Sequence, residues 1–248
     1  MYAPVPTNFY QAFPENTVGR DFIVSDLHGC FDEFENFLKH LVFDPWKDRM
    51  FCCGDLVDRG PKSRECLELL NNAWFYSVRG NHEQMMIESV LCKYPTYLWE
   101  MNGGKWGCPW KHEERQELRN YVEMIEPYLP YIITVGTGRN RFNIVHAELT
   151  FAPDISDKDL DVMEWDEYRC NAMLWGRDII QGSPAPHSDD LSITYVGHTP
   201  LINPVRRGKH FYIDGGIVFG DKLHIVEHKA QVLHTYDAAT KKYSQSNI

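Results

Sequence analysis

The sequence predicts an α/β layered fold in which an N-terminal βαβαβ segment leads into a second half of short strands. Two observations carry this. Through the first hundred residues, short apolar runs ending in polar turns alternate with stretches whose apolar residues recur at helical spacing. Beyond Pro130 the helical spacing fades, and apolar runs of four to six residues are separated by turn-forming residues.

Each element has its own signal. Asp21–Asp26 is an apolar run closed by a polar turn, and Phe31, Phe34, Phe37, Leu38 and Leu41 then mark a helix. Arg49–Asp55 reads as a second strand. Pro61 opens a second helix where its missing N–H costs nothing, with Leu67 and Leu70 on its apolar side. Trp74–Arg79 is a third strand and Glu83–Leu91 a third helix. Alternation of this kind implies a parallel sheet. Lys93–Asn120, rich in Trp, Gly and charge, reads as an irregular or helical insert. Tyr131–Val135 and Arg141–His146 flank GTGRN, a hairpin signal. Further strands are expected at Ile193–Val196, His210–Ile213, Leu223–Glu227 and Gln231–Tyr236, giving a mainly antiparallel second half. Asp154–Glu167 carries seven acids and one Lys, so it reads as a solvated loop, or as a lid over a site.

With 248 residues, the chain is expected to form one domain over 1–248. Its 43% hydrophobic and 24% charged residues place it among globular chains rather than disordered ones. The net charge of −10 disfavours nucleic acid, whose phosphates recruit Lys and Arg. Seven cysteines without paired CxxC spacing read as reduced thiols. The N-terminal MYAPVPTNFY has neither the basic nor the apolar run of a signal peptide, and no apolar stretch reaches 18 residues. A cytoplasmic protein without a membrane span is expected.

Chemistry concentrates at predicted strand ends: SDLHG (Ser25–Gly29), GDLVDRG (Gly54–Gly60), RGNHE (Arg79–Glu83), then Val145–His146 and VGHTP (Val196–Pro200). In open α/β sheets, ligands bind outside the carboxyl ends of strands. Asp26, His28, Asp55, Asn81, His146 and His198 offer two carboxylates, three imidazoles and one amide. That mixture suits divalent Mn, Fe, Zn or Co better than Ca. Six donors suit two metals sharing a carboxylate, about 3.5–4 Å apart. Two divalent ions less two Asp charges leave a balance that matches a phosphate monoester dianion. Arg59, Arg79 and Arg177 can each form a bidentate fork on phosphate oxygens. His82 follows Asn81, so their side chains should diverge, and Asp58 shares the loop of Asp55. An Asp58–His82 pair can act as a general acid for an alkoxide leaving group, while a metal-bound hydroxide attacks from the opposite side.

This ordered set resembles the phosphoprotein phosphatases among calcineurin-like metallophosphoesterases, closest to the small bacterial and bacteriophage serine/threonine phosphatases. FDPWKD (Phe43–Asp48), ECLELL (Glu65–Leu70), RGNHEQMM (Arg79–Met86), NGGKW (Asn102–Trp106) and YIDGG (Tyr212–Gly216) extend the likeness along most of the chain. The resemblance implies a β-sandwich flanked by helices and a bimetallic centre, usually manganese. One ion would sit on Asp26, His28 and Asp55, the other on Asp55, Asn81, His146 and His198. Asp58 and His82 would be the acid pair, with Arg59, Arg79 and Arg177 clamping phosphate from a phosphorylated protein or peptide. Ser25 replaces the usual Gly, Ala147–Glu148 follows His146, and Gly215 stands where close relatives have Thr; no ligand is lost. Two other readings compete. Dinucleoside polyphosphate hydrolases share the fold but tend to carry Ala at the position of Asp58 and Asp at that of Glu83. A non-catalytic phosphate-binding module would be expected to lack a ligand or the acid.

Overall fold

Numbered in chain order, the strands are β1 (Tyr10–Phe13), β2 (Asp21–Val24), β3 (Arg49–Cys52), β4 (Phe75–Ser77), β5 (Ile132–Val135), β6 (Phe142–Ile144), β7 (Ile193–Val196), β8 (Val205–Arg207), β9 (His210–Tyr212), β10 (Lys222–Glu227), β11 (Val232–Asp237) and β12 (Lys242–Asn247). The helices are α1 (Phe31–His40), α2 (Ser63–Glu68), α3 (Asn81–Leu91), α4 (Tyr97–Met101), α5 (His112–Ile125), α6 (Asp157–Asp161) and α7 (Glu167–Trp175). The computed structural model describes residues 6–92, 96–108, 112–150 and 154–248. The N-terminal MYAPV and the start of the insert at Lys93 lie outside the described residues.

Two six-stranded sheets form, ordered β1-β5-β6-β7-β9-β8 and β12-β11-β10-β2-β3-β4. Period-two alternation along β2 explains the layering. Phe22 and Val24 join Phe34 and Phe37 of α1 in one cluster, while Ile23 joins Phe51, Ile133 and Ile144 between the sheets. The outer face of the first sheet is covered by Cys170, Met173 and Leu174 of α7 and Leu160 of α6. The result is helices, sheet, sheet, helices: the expected sandwich flanked by helices.

The βαβαβ segment forms as expected, with β2, β3 and β4 parallel. Several boundaries move. Strand β3 ends at Cys52, so Asp55 sits in a loop, not at a strand end. Pro61 lies in a turn ahead of α2, where Lys62 N–H bonds Gly29 O at 3.0 Å. Asn81 opens α3 instead of ending β4. The second half is mainly antiparallel, as expected, through β5–β6, β8–β9, β10–β11 and β11–β12, but β6–β7 and β7–β9 pair in parallel. The connection from β6 to β7 is long enough to carry α6 and α7 across the sheet, so the strands need not form a hairpin. Strands β10–β12 extend the N-terminal sheet through antiparallel pairing of β10 with β2.

Most acids of the acidic segment are exposed, as a solvated segment predicts, but it is only partly a loop, since Asp157–Asp161 form α6. Asp157 accepts from Asn143 at 2.9 Å and Ser192 at 2.6 Å and pairs with Arg141; Asp161 accepts from Tyr10 at 2.6 Å. Asp166 caps α7 by accepting the Arg169 N–H at 3.0 Å. Asp157 and Asp161 therefore fasten α6 to the sheet, and Asp166 caps α7. Among the described residues, no helix is long and apolar enough to cross a membrane.

Candidate active site

Loops leaving β2, β3, β4, β6 and β7 converge beyond the carboxyl ends of these strands, and they do so at a backbone cost. His28, Asp55, Asp58, Arg59 and His198 all hold positive φ, between 43° and 74°. Non-glycine residues adopt this region rarely, and strain of this kind gathers at functional sites. Three features hold the turns. Leu27 and His28 N–H bond Asp55 O at 3.0 and 2.8 Å. The fully buried Glu83 accepts the N–H groups of Asp55, Leu56 and Gly80 at 2.8 Å each, and that of Val57 at 3.2 Å. His82 N–H bonds Asp55 Oδ1 at 3.0 Å. Burial and the Asp55 charge push the Glu83 carboxyl up to about 7, against the pull of these donors.

The imidazoles are oriented with equal care. His28 Nδ1 donates to Val57 O and His146 Nδ1 to Cys53 O, both at 2.8 Å. Each therefore turns its Nε2 lone pair inward, the tautomer a metal requires. Asp55 Oδ2 lies 3.5 Å from both of these Nε2 atoms. Asn81 Oδ1 lies 2.8 Å from His146 Nε2 and 3.0 Å from His198 Nδ1. Among the described residues, two groups can hold cations: Asp55, His146 and His198, and Asp55, His28 and His82. Asp55 belongs to both. Burial lowers the basicity of His28 to about 3 and of His198 to about 2, and lowers that of His146. Asp55 lies below the carboxylate range because four imidazoles outweigh its burial. Neutral imidazoles around an ionised carboxylate are the forms in which such ligands bind metal. His198 Nε2 is buried without a hydrogen-bond partner. The donor set fits divalent cations.

Asp26 is also at this point, its carboxylate accepting His198 N–H at 3.1–3.2 Å, and burial with the Asp214 and Asp55 charges raises its pKa. Beside the cluster, His82 Nδ1 bonds Asp58 Oδ2 at 2.7 Å, and its Nε2 is buried without a partner. The indole N–H of Trp99 reaches both Asp58 oxygens at 3.0 Å, and that of Trp106 reaches Oδ1 at 2.7 Å.

Two of the three arginines reach the site. Arg59 Nη1 donates to His28 Nε2 at 2.5 Å and Arg177 Nη2 to His198 O at 3.4 Å. Arg79 does not. Its fully buried guanidinium pairs with Glu126, donates to Leu129 O at 3.1 Å and Gln84 Oε1 at 3.2 Å, and lies over the Tyr131 ring. Arg79 was expected in a phosphate clamp with Arg59 and Arg177, but its side chain leaves the β4–α3 turn toward Glu126. Sequence reasoning missed the structural work of Glu83 and of Trp99 and Trp106, although NGGKW held the second indole in plain view.

A family model described as calcineurin-like phosphoesterase matches residues 22–228. Serine/threonine-protein phosphatase 1 of Salmonella typhimurium (strain LT2) is 32% identical over 223 residues, covering 88% of this chain and 96% of that protein. A symmetrical bis(5'-nucleosyl)-tetraphosphatase of Actinobacillus succinogenes is 43% identical over 75 residues, covering 29% of this chain and 26% of that protein. In fold, the chain is similar to a solved serine/threonine phosphatase from Saccharomyces cerevisiae, with a TM-score of 0.59 at 16% identity, covering 98% of this chain and 84% of that one.

Proposed function

The chain belongs to the calcineurin-like phosphoesterase family and is a metal-dependent phosphoesterase; on that footing, we propose that it removes phosphate from phosphoserine and phosphothreonine in proteins. The whole of 1–248 would act as one catalytic domain. Two divalent ions, manganese first among them, would be held by Asp26, His28 and Asp55 and by Asp55, Asn81, His146 and His198. When bound, the ions supply Lewis acidity and an activated water.

The observation that carries the reading is the buried Asp58–His82 pair. A serine alkoxide is a very poor leaving group and needs a proton as the P–O bond breaks. Asp58 accepts the hydrogen bond from Nδ1–H, and the charged ring gives its Nε2 proton to the departing oxygen. The nearby Asp55 and Asp58 charges raise the His82 pKa against the opposing effect of burial, so the imidazole is the more readily charged. Arg59 and Arg177 supply forked donors for the phosphoryl oxygens. Arg79, committed to Glu126, has no part in this.

The local likeness to a tetraphosphatase favours one other reading, hydrolysis of a dinucleoside polyphosphate. A polyphosphate leaving group is far less basic than an alkoxide and has less use for a dedicated acid. The deciding experiment compares kcat/KM of the manganese-reconstituted enzyme on four substrates: a phosphoserine peptide, a phosphotyrosine peptide, diadenosine tetraphosphate and a phosphodiester. The phosphoserine peptide should rank first. A higher value for diadenosine tetraphosphate would replace the proposal with the second reading.

A further inference from the structure

The carboxylate of Asp58 is surrounded by donors that the proton-transfer pair alone does not explain. Oδ2 accepts from His82 and Trp99; Oδ1 accepts from Trp99 and Trp106. The main-chain N–H of Asp58 is itself held by Ser63 Oγ at 2.9 Å. Asp58 and Trp99 are almost wholly buried, so these bonds meet little competition from water. The two indoles meet edge to face, 5.8 Å apart at 82°. The chain between them and just after is built to fit: a Cβ at Gly104 or Gly107 would collide with the Trp99 ring, and Gly103, at φ +104°, packs against the backbone of Arg59.

An indole N–H donates and never accepts, and it carries no charge. It fills the carboxylate's lone pairs without drawing away the negative charge that holds the imidazole. A Lys or Arg in the same place would compete with His82 for that charge. Resting on the proton-donor reading above, we propose that Trp99 and Trp106 are positioning residues for the reaction: they fix the Asp58 carboxylate so that it holds His82 with Nε2 toward the leaving group. The stretch from Trp99 to Trp106 is thereby part of the acid machinery.

The test uses the full-length, metal-loaded enzyme with Trp106→Phe, Trp99→Phe and His82→Asn, each alone and each Trp change combined with His82→Asn. Phenylalanine keeps most of the ring and removes the N–H. Trp106 is the less buried of the two, so its variant keeps the test open if Trp99→Phe folds poorly. Turnover is measured on a phosphoserine peptide and on p-nitrophenyl phosphate, whose leaving group needs no proton. General acids contribute roughly 10²–10⁴-fold, and His82→Asn should lose that much on the peptide and far less on the aryl ester. Each Trp change should lose about tenfold on the peptide, a fraction of the His82 effect, with little change on the aryl ester. In the His82→Asn background the Trp changes should cost nothing more, because they act through His82. Equal losses on both esters, or losses that add to that of His82→Asn, would overturn the assignment and leave the indoles a purely structural role. If His82→Asn itself loses equally on both esters, the proton-donor reading fails, and that result is distinct from selective loss in His82→Asn but not in the Trp variants.

Discussion

At the scale of single residues, the outcome turns on direction as much as on identity. The ligand candidates were legible because D-x-H, GD and NH mark the loops that leave the strands, and the structure brings Asp55, His28, His146, His198 and Asn81 within reach of one another. Arg79 was misread because its place at the start of RGNHE says nothing about which side of the turn its long side chain takes. Glu83 and Trp99 act on backbone and on another side chain, and no spacing rule announces such partners. The two arginines now have opposite expectations. Arg59→Ala should weaken inhibition by inorganic phosphate with little change in melting temperature. Arg79→Ala leaves Glu126 without its buried partner and should destabilise the fold by about 3–5 kcal/mol. Urea unfolding and phosphate inhibition of both variants check this. Unchanged phosphate inhibition in Arg59→Ala would remove that residue from the clamp, and full stability in Arg79→Ala would show the ion pair to be dispensable.

Among elements, the interior was more legible than the margins. Strands β2 and β3 are apolar and buried on both faces, so their sequences stand out. Strands β1, β8 and β12, which sequence reasoning did not find, all lie at sheet edges. Edge strands are short or polar, and β12 (KYSQSN) is exposed along nearly its whole length. One turn does more than its sequence suggests. In FDPWKD, Asp48 accepts the N–H groups of Asp44 at 3.0 Å and Arg20 at 2.8 Å and pairs with the Arg20 guanidinium at 2.6 Å. This ties the end of the α1–β3 turn to the start of β2. Burial raises the Asp48 carboxyl, but these bonds outweigh it and hold the group below its ordinary range. Its folded pKa is therefore lower than its unfolded one. The stability it contributes is complete above the unfolded value, near pH 4, and is lost as pH falls through the folded value. Asp48→Asn should then be less stable than the parent by about 1–2 kcal/mol at neutral pH, and the gap should shrink as pH falls below about 4. Urea midpoints across that range give the answer; a gap independent of pH would show that the carboxylate's charge is not what secures the turn.

For the molecule as a whole, the site is where the two sheets meet in function. Asp55 and His28 come from loops of one sheet and His146 and His198 from loops of the other, so the cluster exists only when both sheets are packed. The chain already carries a net charge of −10, and it buries Asp26, Asp55 and Asp214 around one point. Burial and mutual repulsion push Asp26 upward and Asp214 to about 7. A fold that holds carboxylates against their repulsion is one that cations should stabilise strongly, because the unfolded chain cannot bring the same ligands together. Mass action sets the size. At a free metal concentration 100 times Kd, one site adds about 2.7 kcal/mol and two sites about twice that. For a chain of this length, each kcal/mol moves the melting temperature by roughly 2–4 °C. Saturating Mn²⁺ should therefore raise the melting temperature of the chelator-stripped protein by roughly 5–11 °C if one site fills and by roughly 11–22 °C if two do. Asp55→Asn should abolish most of that rise, since Asp55 is the one carboxylate shared by both cation groups. Asp159→Asn, on the exposed side of α6, should leave it intact. Calorimetry of the three proteins with and without Mn²⁺ is decisive: a parent protein indifferent to metal would refute the centre, and a full shift in Asp55→Asn would refute the bridge.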